Sequence, residues 1–436
     1  MTRPRWRLLR SDTRRAVGAS GLLLGAGLVG GLGNLVFNLL VARGGGAVSY
    51  GAVGSLLMLA TVAGFFATGS QYAVAHLAAV APPGASRLLR AAFRGVAPWL
   101  ILSIGLLAAA VPLSSYLHLG SLGPVLLTAA LLGATVLGAA PTGLLVGASR
   151  FRAVALIAVM ATVFRLILGV FLGHGPGTIV GALTASLIPV VLAALVGIVV
   201  LRLPRRPQPV ASEDAHAPSA PGRTEAGVMA RGALGAVIAG ALWGIWTLPV
   251  LAARHQLRLE EAGAFAAAQL LAGGILYATA PLVTAFYPTL ARGRDRQAVV
   301  VGLLATAGIA GVGVLGLGVL GPILMPRLYG PEFHPGSTLL FLLGLSALVT
   351  TVAGFASWAA VARSRVLRPV VVGLGVGLLC AGLLCALWAH SPLELASVPA
   401  LALLVGGLAA SVSQLVMAGE SFRAQDPVPS GETVRL

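Results

Sequence analysis

Residues 17–41 read VGASGLLLGAGLVGGLGNLVFNLLV, twenty-five positions without a charged side chain. A membrane crossing needs about 20 such residues. Arg14 and Arg15 precede the run and Arg43 follows it. It is longer than the apolar core of a secretory leader, and no small-residue cleavage site follows, so it reads as a retained span. Its polar residues are not scattered. Gly27, Gly31, Asn34 and Asn38 are spaced by four, three and four, which is one helix face.

Working outward, eleven more runs have the same character. With the first they lie near 17–41, 51–75, 95–114, 123–147, 153–173 and 178–201, then near 232–253, 262–287, 299–325, 337–362, 369–390 and 395–417. The whole chain of 436 residues is 58% hydrophobic and 9% charged, against about 25% charged in an ordinary soluble domain. Twelve helices crossing a bilayer account for this; a soluble core does not. The formal charge of +17 would suggest a nucleic-acid partner in a soluble chain. So low a charged fraction argues against one here.

The basic residues, all of them arginine, report orientation instead. Twenty-four of the 29 fall in the termini and in alternate loops, four in the opposite loops, and Arg165 alone lies within a span. The positive-inside rule then puts both termini in the cytoplasm, with an even number of spans. The expected fold is an all-α polytopic membrane protein, with 12 transmembrane helices as two six-helix bundles around a central cavity. Residues 1–201 form the first bundle and 232–417 the second. Residues 202–231, with five prolines and no apolar period, read as a flexible cytoplasmic linker, and 418–436 as a cytoplasmic tail. The halves look like parallel repeats: Arg43 before Gly51 is echoed by Arg254 before Gly263. Repeats around a midplane site are common in secondary transporters.

Polar positions inside spans mark surfaces that avoid lipid. Arg165 stands about 18 Å from the cytoplasmic end of its helix, just past the middle of a ~30 Å core. None of the twelve carboxylates falls in an expected span, so Arg165 has no acidic partner there. An anion contact, as to phosphate, is the functional reading; snorkelling or bonding to backbone carbonyls is the structural one. Asn34, Asn38, Thr162, Gln269 and Tyr277 are further cavity candidates. Arg43 and Arg254, at the outer ends of spans 1 and 7, are candidate gate or headgroup contacts. The Ser86–Arg94 stretch can form an amphipathic helix capped by Ser86, with Arg87, Arg90 and Arg94 on one face and Leu89 and Phe93 on the other. It is expected to lie in the inner interface against anionic lipid.

Signals for catalysis are missing. The seven histidines stand at span ends or in loops, without metal-ligand spacing, and there is no phosphate-binding Gly-rich loop. Cys380 and Cys385 share one apolar run and read as small core residues. No enzyme activity, cofactor or metal is expected.

Three short motifs carry a family resemblance. Leu39-Leu40-Val41-Ala42-Arg43 followed by Ser49-Tyr50-Gly51 resembles the N-terminal signature of the Wzx-type polysaccharide-biosynthesis flippases, in the multidrug/oligosaccharidyl-lipid/polysaccharide exporter superfamily. Phe286-Tyr287-Pro288-Thr289-Leu290-Ala291 resembles the segment after their eighth span. Leu328-Tyr329-Gly330 with Phe333 and Ser337-Thr338-Leu339-Leu340 resembles their loop and tenth span. The resemblance implies rocking between inward-open and outward-open states. The cargo it implies is a polyprenyl-pyrophosphate-linked oligosaccharide, moved from the inner to the outer leaflet of the bacterial plasma membrane. Membrane lipids and the lipid-linked glycan would be the partners, and the protein is expected as a monomer. Relatives often have a more cationic cavity than one arginine supplies. A small-molecule exporter of the same superfamily, or one of major-facilitator type, is the alternative. Against these stand the missing membrane carboxylates and the acid-free 76–94 segment.

Overall fold

The computed structural model describes residues 6–80, 85–203, 225–291, 296–363 and 367–423. They form thirteen α-helices and two short 3-10 turns, with no strand among the described residues. The first helix, α1 (Trp6–Val80), is far longer than one crossing requires. It bends at Gly46, whose φ of 70° and ψ of 177° interrupt the helix at a single residue. That backbone conformation is open essentially to glycine alone. Gly46 thereby folds one continuous helix into two crossings. The loop expected between spans 1 and 2 is reduced to this one bend.

The third crossing is the most broken. It runs through α2 (Ala85–Val96), a 3-10 turn at Ala97–Trp99, α3 (Leu100–Ala108) and α4 (Ala110–Tyr116). Pro98 is the second residue of the turn, since a proline is tolerated at the opening of a helical segment but cannot donate inside one. Trp99 at the break donates to Ser70 Oγ at 2.5 Å, tying this crossing to the second arm of α1. The helix α2 covers the stretch expected to be amphipathic. Arg90 and Arg94 are exposed while Ala92 and Val96 are buried. It differs from the expectation in two ways. The helix begins at Ala85, so Ser86 sits within its first turn rather than at the cap. Its apolar face also packs on protein, with Leu89 and Phe93 against a core cluster of Val125, Ala129 and Val136.

The remaining crossings are single helices. In the first half they are α5 (Gly123–Gly147), α6 (Phe151–Leu172) and α7 (Thr178–Arg202). In the second half they are α8 (Glu225–Gln256), α9 (Leu259–Ala291), α10 (Arg296–Tyr329), α11 (Ser337–Arg363), α12 (Leu367–Leu387) and α13 (Pro392–Arg423). With α1 counted twice for its bend, twelve crossings put both ends of the chain on one side. Most of the expected linker, 204–224, lies outside the described residues, as does 424–436 of the expected tail. The helix α8 already starts at Glu225, seven residues before the expected second bundle.

Burial separates lipid-facing from protein-facing surface. On α6, Leu156, Met160, Val163, Ile167 and Val170 are exposed at helical spacing. Leu315, Val319 and Ile323 on α10 and Leu379, Leu383 and Leu387 on α12 do the same. In water such continuous apolar stripes would drive association; in a bilayer they are simply solvated. The largest buried side chains gather elsewhere. Phe37, Tyr50, Trp246, Phe265, Tyr329 and Phe333 belong to one cluster built from both halves. The main core therefore lies where the halves meet.

Candidate functional site

The site begins with close packing between α6 and the first arm of α1. Small residues set the distance. A Cβ on Gly33 would lie 2.1 Å from Thr162 Cγ2, and one on Gly169 would lie 2.9 Å from the Phe37 ring. This proximity brings Arg165, on the face of α6 opposite its lipid stripe, onto α1. Its Cζ sits 3.9 Å from the Phe37 ring centroid, a cation–π contact. Its Nη1 donates to Asn34 Oδ1 at 3.0 Å.

A chain of hydrogen bonds continues from there. Asn38 Nδ2 donates to the Asn34 carbonyl at 2.8 Å and faces Asn34 Oδ1 at 3.4 Å. The Tyr50 hydroxyl donates to Asn38 Oδ1 at 3.1 Å. Tyr50 then meets Tyr329 and Phe333 of the second half edge-on, each with ring centroids 6.0 Å away. Arg165, Asn34, Asn38 and Tyr50 thus form one polar line ending at the contact between the halves.

Arg165 is poorly satisfied in this setting. A guanidinium carries five N–H donors. Among the described residues its hydrogen-bond acceptor is Asn34 alone, and Nε is buried without a partner. A membrane-buried charge costs a few kcal/mol or more unless it is compensated. From Thr13 to Ser212 the sequence contains no Asp or Glu. The crossings of the first half therefore have no acid to offer it.

Open space adjoins this face. Gly31 and Gly27, one and two turns before Asn34, are exposed, and a Cβ on either would touch nothing within 4 Å. From the second half, Tyr277 on α9 is 44% exposed. Its ring lies 5.8 Å from Trp243, which stacks on Phe65 at 4.2 Å. An aromatic row thus crosses from one half to the other.

The other cavity candidates fall elsewhere. Thr162 packs against Gly30 and Gly33, and its hydroxyl donates to the Ala158 carbonyl of its own helix at 2.9 Å. Gln269 is fully buried between α8 and α9, where Nε2 donates to the Trp246 carbonyl and Oε1 has no partner. The hydroxyls on the neighbouring polar faces also serve packing. Thr61 and Thr68 bond back to Leu57 and Gly64, and Ser346 bonds to Ala396 of α13.

Arg43 and Arg254 sit at the other polar region, the ends of the halves opposite the chain termini. Arg43 donates from Nε to the Leu328 carbonyl at 2.7 Å and from Nη2 to that of Arg327. Arg254 donates from Nε to the Leu117 carbonyl and from Nη1 to that of Val48, both at 3.0 Å. Glu332 accepts from the Ala47 N–H at 2.9 Å, the first amide after the Gly46 bend. His255 stacks on Tyr116 with centroids 4.0 Å apart. Backbones touch here as well: a Cβ on Gly263 would lie 1.9 Å from the Ala47 carbonyl oxygen. The halves are closed against each other at this end. The second arm of α1 and α8 also stay in contact toward the opposite end, where Gly69 meets Ala236.

Phe37, Tyr50, Trp243 and Glu332 were not candidates in the sequence. Phe37 lies one helical turn beyond Asn34, on the face that carries the asparagines. An aromatic there was the available signal for an arginine's resting place.

No family model matches the chain, and no curated protein sequence does. Solved structures do match in fold. The lipid II flippase MurJ in an inward closed conformation has a TM-score of 0.65 at 15% identity, over 91% of this chain and 87% of that one. An inward-facing multidrug resistance transporter of the MATE family, in the MOP superfamily, scores 0.61 at 17%, over 91% and 96%. An outward-facing MATE transporter scores 0.54 at 16%, over 93% and 97%. The chain therefore has the fold of MOP-superfamily transporters, in which both lipid flippases and drug exporters occur.

Proposed function

We propose that this protein flips a polyprenyl-pyrophosphate-linked oligosaccharide from the inner to the outer leaflet of a bacterial plasma membrane. The observation that carries the reading is Arg165: a guanidinium in the middle of a crossing, with one acceptor among the described residues, a buried unpartnered Nε and no carboxylate between Asp12 and Glu213 of the sequence. An anionic diphosphate meets what that group lacks, since guanidinium binds phosphate through paired N–H donors. Asn34 is placed to hydrogen-bond the same headgroup or its first sugar, and Gly27 and Gly31 leave room along the face. Asn38 supports Asn34 and is itself held by Tyr50. The polar head would travel between the halves while its lipid tail stays in the bilayer. Alternating access then means parting the outer ends, which are closed here, after loading from the arginine-rich, cytoplasmic side. The protein acts as a monomer without a cofactor.

The row Phe65–Trp243–Tyr277 favours a second reading, export of a flat aromatic compound. A cationic drug would be repelled by Arg165, so that cargo would be neutral or anionic.

The test is flipping in proteoliposomes. A fluorescent polyprenyl-pyrophosphate sugar is followed by quenching with a membrane-impermeant reagent. The wild-type protein should flip it, and Arg165→Ala should do so roughly 10- to 100-fold more slowly, the worth of one or two charge-assisted hydrogen bonds. No flipping by the wild type, alongside uptake of an aromatic dye, would overturn the flippase reading in favour of export.

A further inference from the structure

The outer contact between the halves contains a symmetry that the sequence only hints at. Arg254 follows Arg43 by 211 positions, and Leu328 follows Leu117 by the same 211. Arg43, at the end of the first crossing, donates its Nε to the Leu328 carbonyl. Arg254, at the end of the seventh, donates its Nε to the Leu117 carbonyl. Each acceptor is the carbonyl end of the third crossing of the opposite half: Leu117 caps α4, and Leu328 lies in the last turn of α10. The same atom of the same residue type thus makes the same bond at matched positions, and each bond crosses between halves.

We infer that these two arginines form an exchanged pair of helix C-caps that latches the outer side shut. The chemistry suits the task. The last carbonyls of a helix have no intrahelical donor and carry the negative end of its dipole, so a guanidinium satisfies them directly. No acid is needed, and such a latch need not be titrated to open. Both third crossings are released together if the halves rock apart, because each cap bridges one half to the other.

The two clasps are matched but not equal. Arg254 is 2% exposed and takes a second first-half carbonyl, that of Val48. Arg43 is exposed and borders a recess of about 320 Å³ with Gly46, Tyr329 and Glu332. On its side the second half adds the Glu332 carboxylate, which caps the restarted helix at Ala47. The position matching Glu332 in the first half is Ser121, and α9 instead carries Glu260 and Glu261 in its own first turn. The Arg254 clasp is the buried, stronger one, and the Arg43 clasp is the exposed one.

The inference rests on the alternating-access part of the proposed function and is independent of the cargo. Spin labels at Ser121 and His390, both exposed on outer loops, report the separation of the halves by pulsed dipolar spectroscopy. The background replaces Cys380 and Cys385 with alanine, and no cargo is added. Arg43→Gln should raise the ratio of long to short distances about tenfold. Arg254→Gln should raise it further, and the double variant should approach the product of the two. Arg258→Gln, at the same end but outside the latch, should leave the distribution unchanged. If Arg254→Gln does not fold, Arg43→Gln decides alone, because its side chain is exposed. An unchanged distribution in a folded Arg43→Gln protein would overturn the latch. Failure of the flipping assay alone would leave these distances as expected, so the two readings fail separately.

Discussion

The interior arginine and the two outer arginines are the same side chain in opposite states of satisfaction. Arg43 and Arg254 each hold two backbone carbonyls and stand at matching positions of the two halves. Arg165 has one acceptor among the described residues, rests on an aromatic ring and has no counterpart: 211 positions on stands Val376. A satisfied guanidinium spends its donors on the fold. An under-satisfied one, kept at a cost within a membrane, is free to spend them on a ligand. Its one-sidedness adds to the contrast, because a site that serves packing in one repeat would be expected to serve it in the other.

Substitutions that remove each charge test the contrast most directly. Arg254→Met leaves the Leu117 carbonyl at its helix end without a donor and removes the second bond to the Val48 carbonyl. It should lower stability by about 3 kcal/mol, taking ~1–3 kcal/mol for each buried group left unpaired, as read from unfolding in detergent. Arg165→Met should behave in reverse. Transport falls roughly 10- to 100-fold, while stability is unchanged or rises slightly because an uncompensated charge has been removed. Equal stability losses in the two variants would erase the distinction.

Sterics offer a second approach to the outer contact. Gly263→Ala places a methyl group against the Ala47 carbonyl, a backbone atom that cannot swing aside. It should cost the closed arrangement ~1–3 kcal/mol and shift label distances outward without touching either arginine. Unaltered distances in this variant would show that the close approach at Gly263 is not needed for closure.

The smallest effect is expected where the two regions join. Tyr50→Phe keeps the ring against Tyr329 and Phe333 but removes its bond to Asn38 Oδ1. A stability loss of about 1 kcal/mol is expected, with a modest fall in flipping as Asn38 and Asn34 lose their anchor. A loss in flipping as large as that of Arg165→Met would mean that the polar line itself, rather than the guanidinium, dominates the site.

The crossings were legible in the sequence because a lipid environment demands little more than a long apolar run, and composition alone reports that. The bend between the first two crossings was nearly legible too: Gly44-Gly45-Gly46 invites a break, but which glycine takes φ 70° depends on Glu332 reaching Ala47 from the other half. Arg165 stood out for the same reason that it is costly. Its neighbours did not. Gln269 and Tyr277 share a polar stripe on α9, yet eight residues at 3.6 per turn put them about 80° apart. That angle is enough to bury one against α8 and leave the other at the open face. Thr162 shares a face with Arg165, but the absence of a side chain at Gly33 lets α1 come close enough to occupy it.

Three features are legible along the chain alone: the number of crossings, the side on which the arginine-rich loops gather, and the absence of acid from the crossings of the first half. Each of these is a one-dimensional property, set by the transfer energy of residues taken along the chain. Which polar groups meet is settled by packing: Arg165 with Asn34 and Phe37, and Arg43 and Arg254 with the far half's helix ends. Helical periodicity names a face, but hydrogen bonds form at about 3 Å. What selects the partner is how closely two helices pack, and that depends on residues such as Gly33, Gly169 and Gly263 brought together from distant parts of the chain.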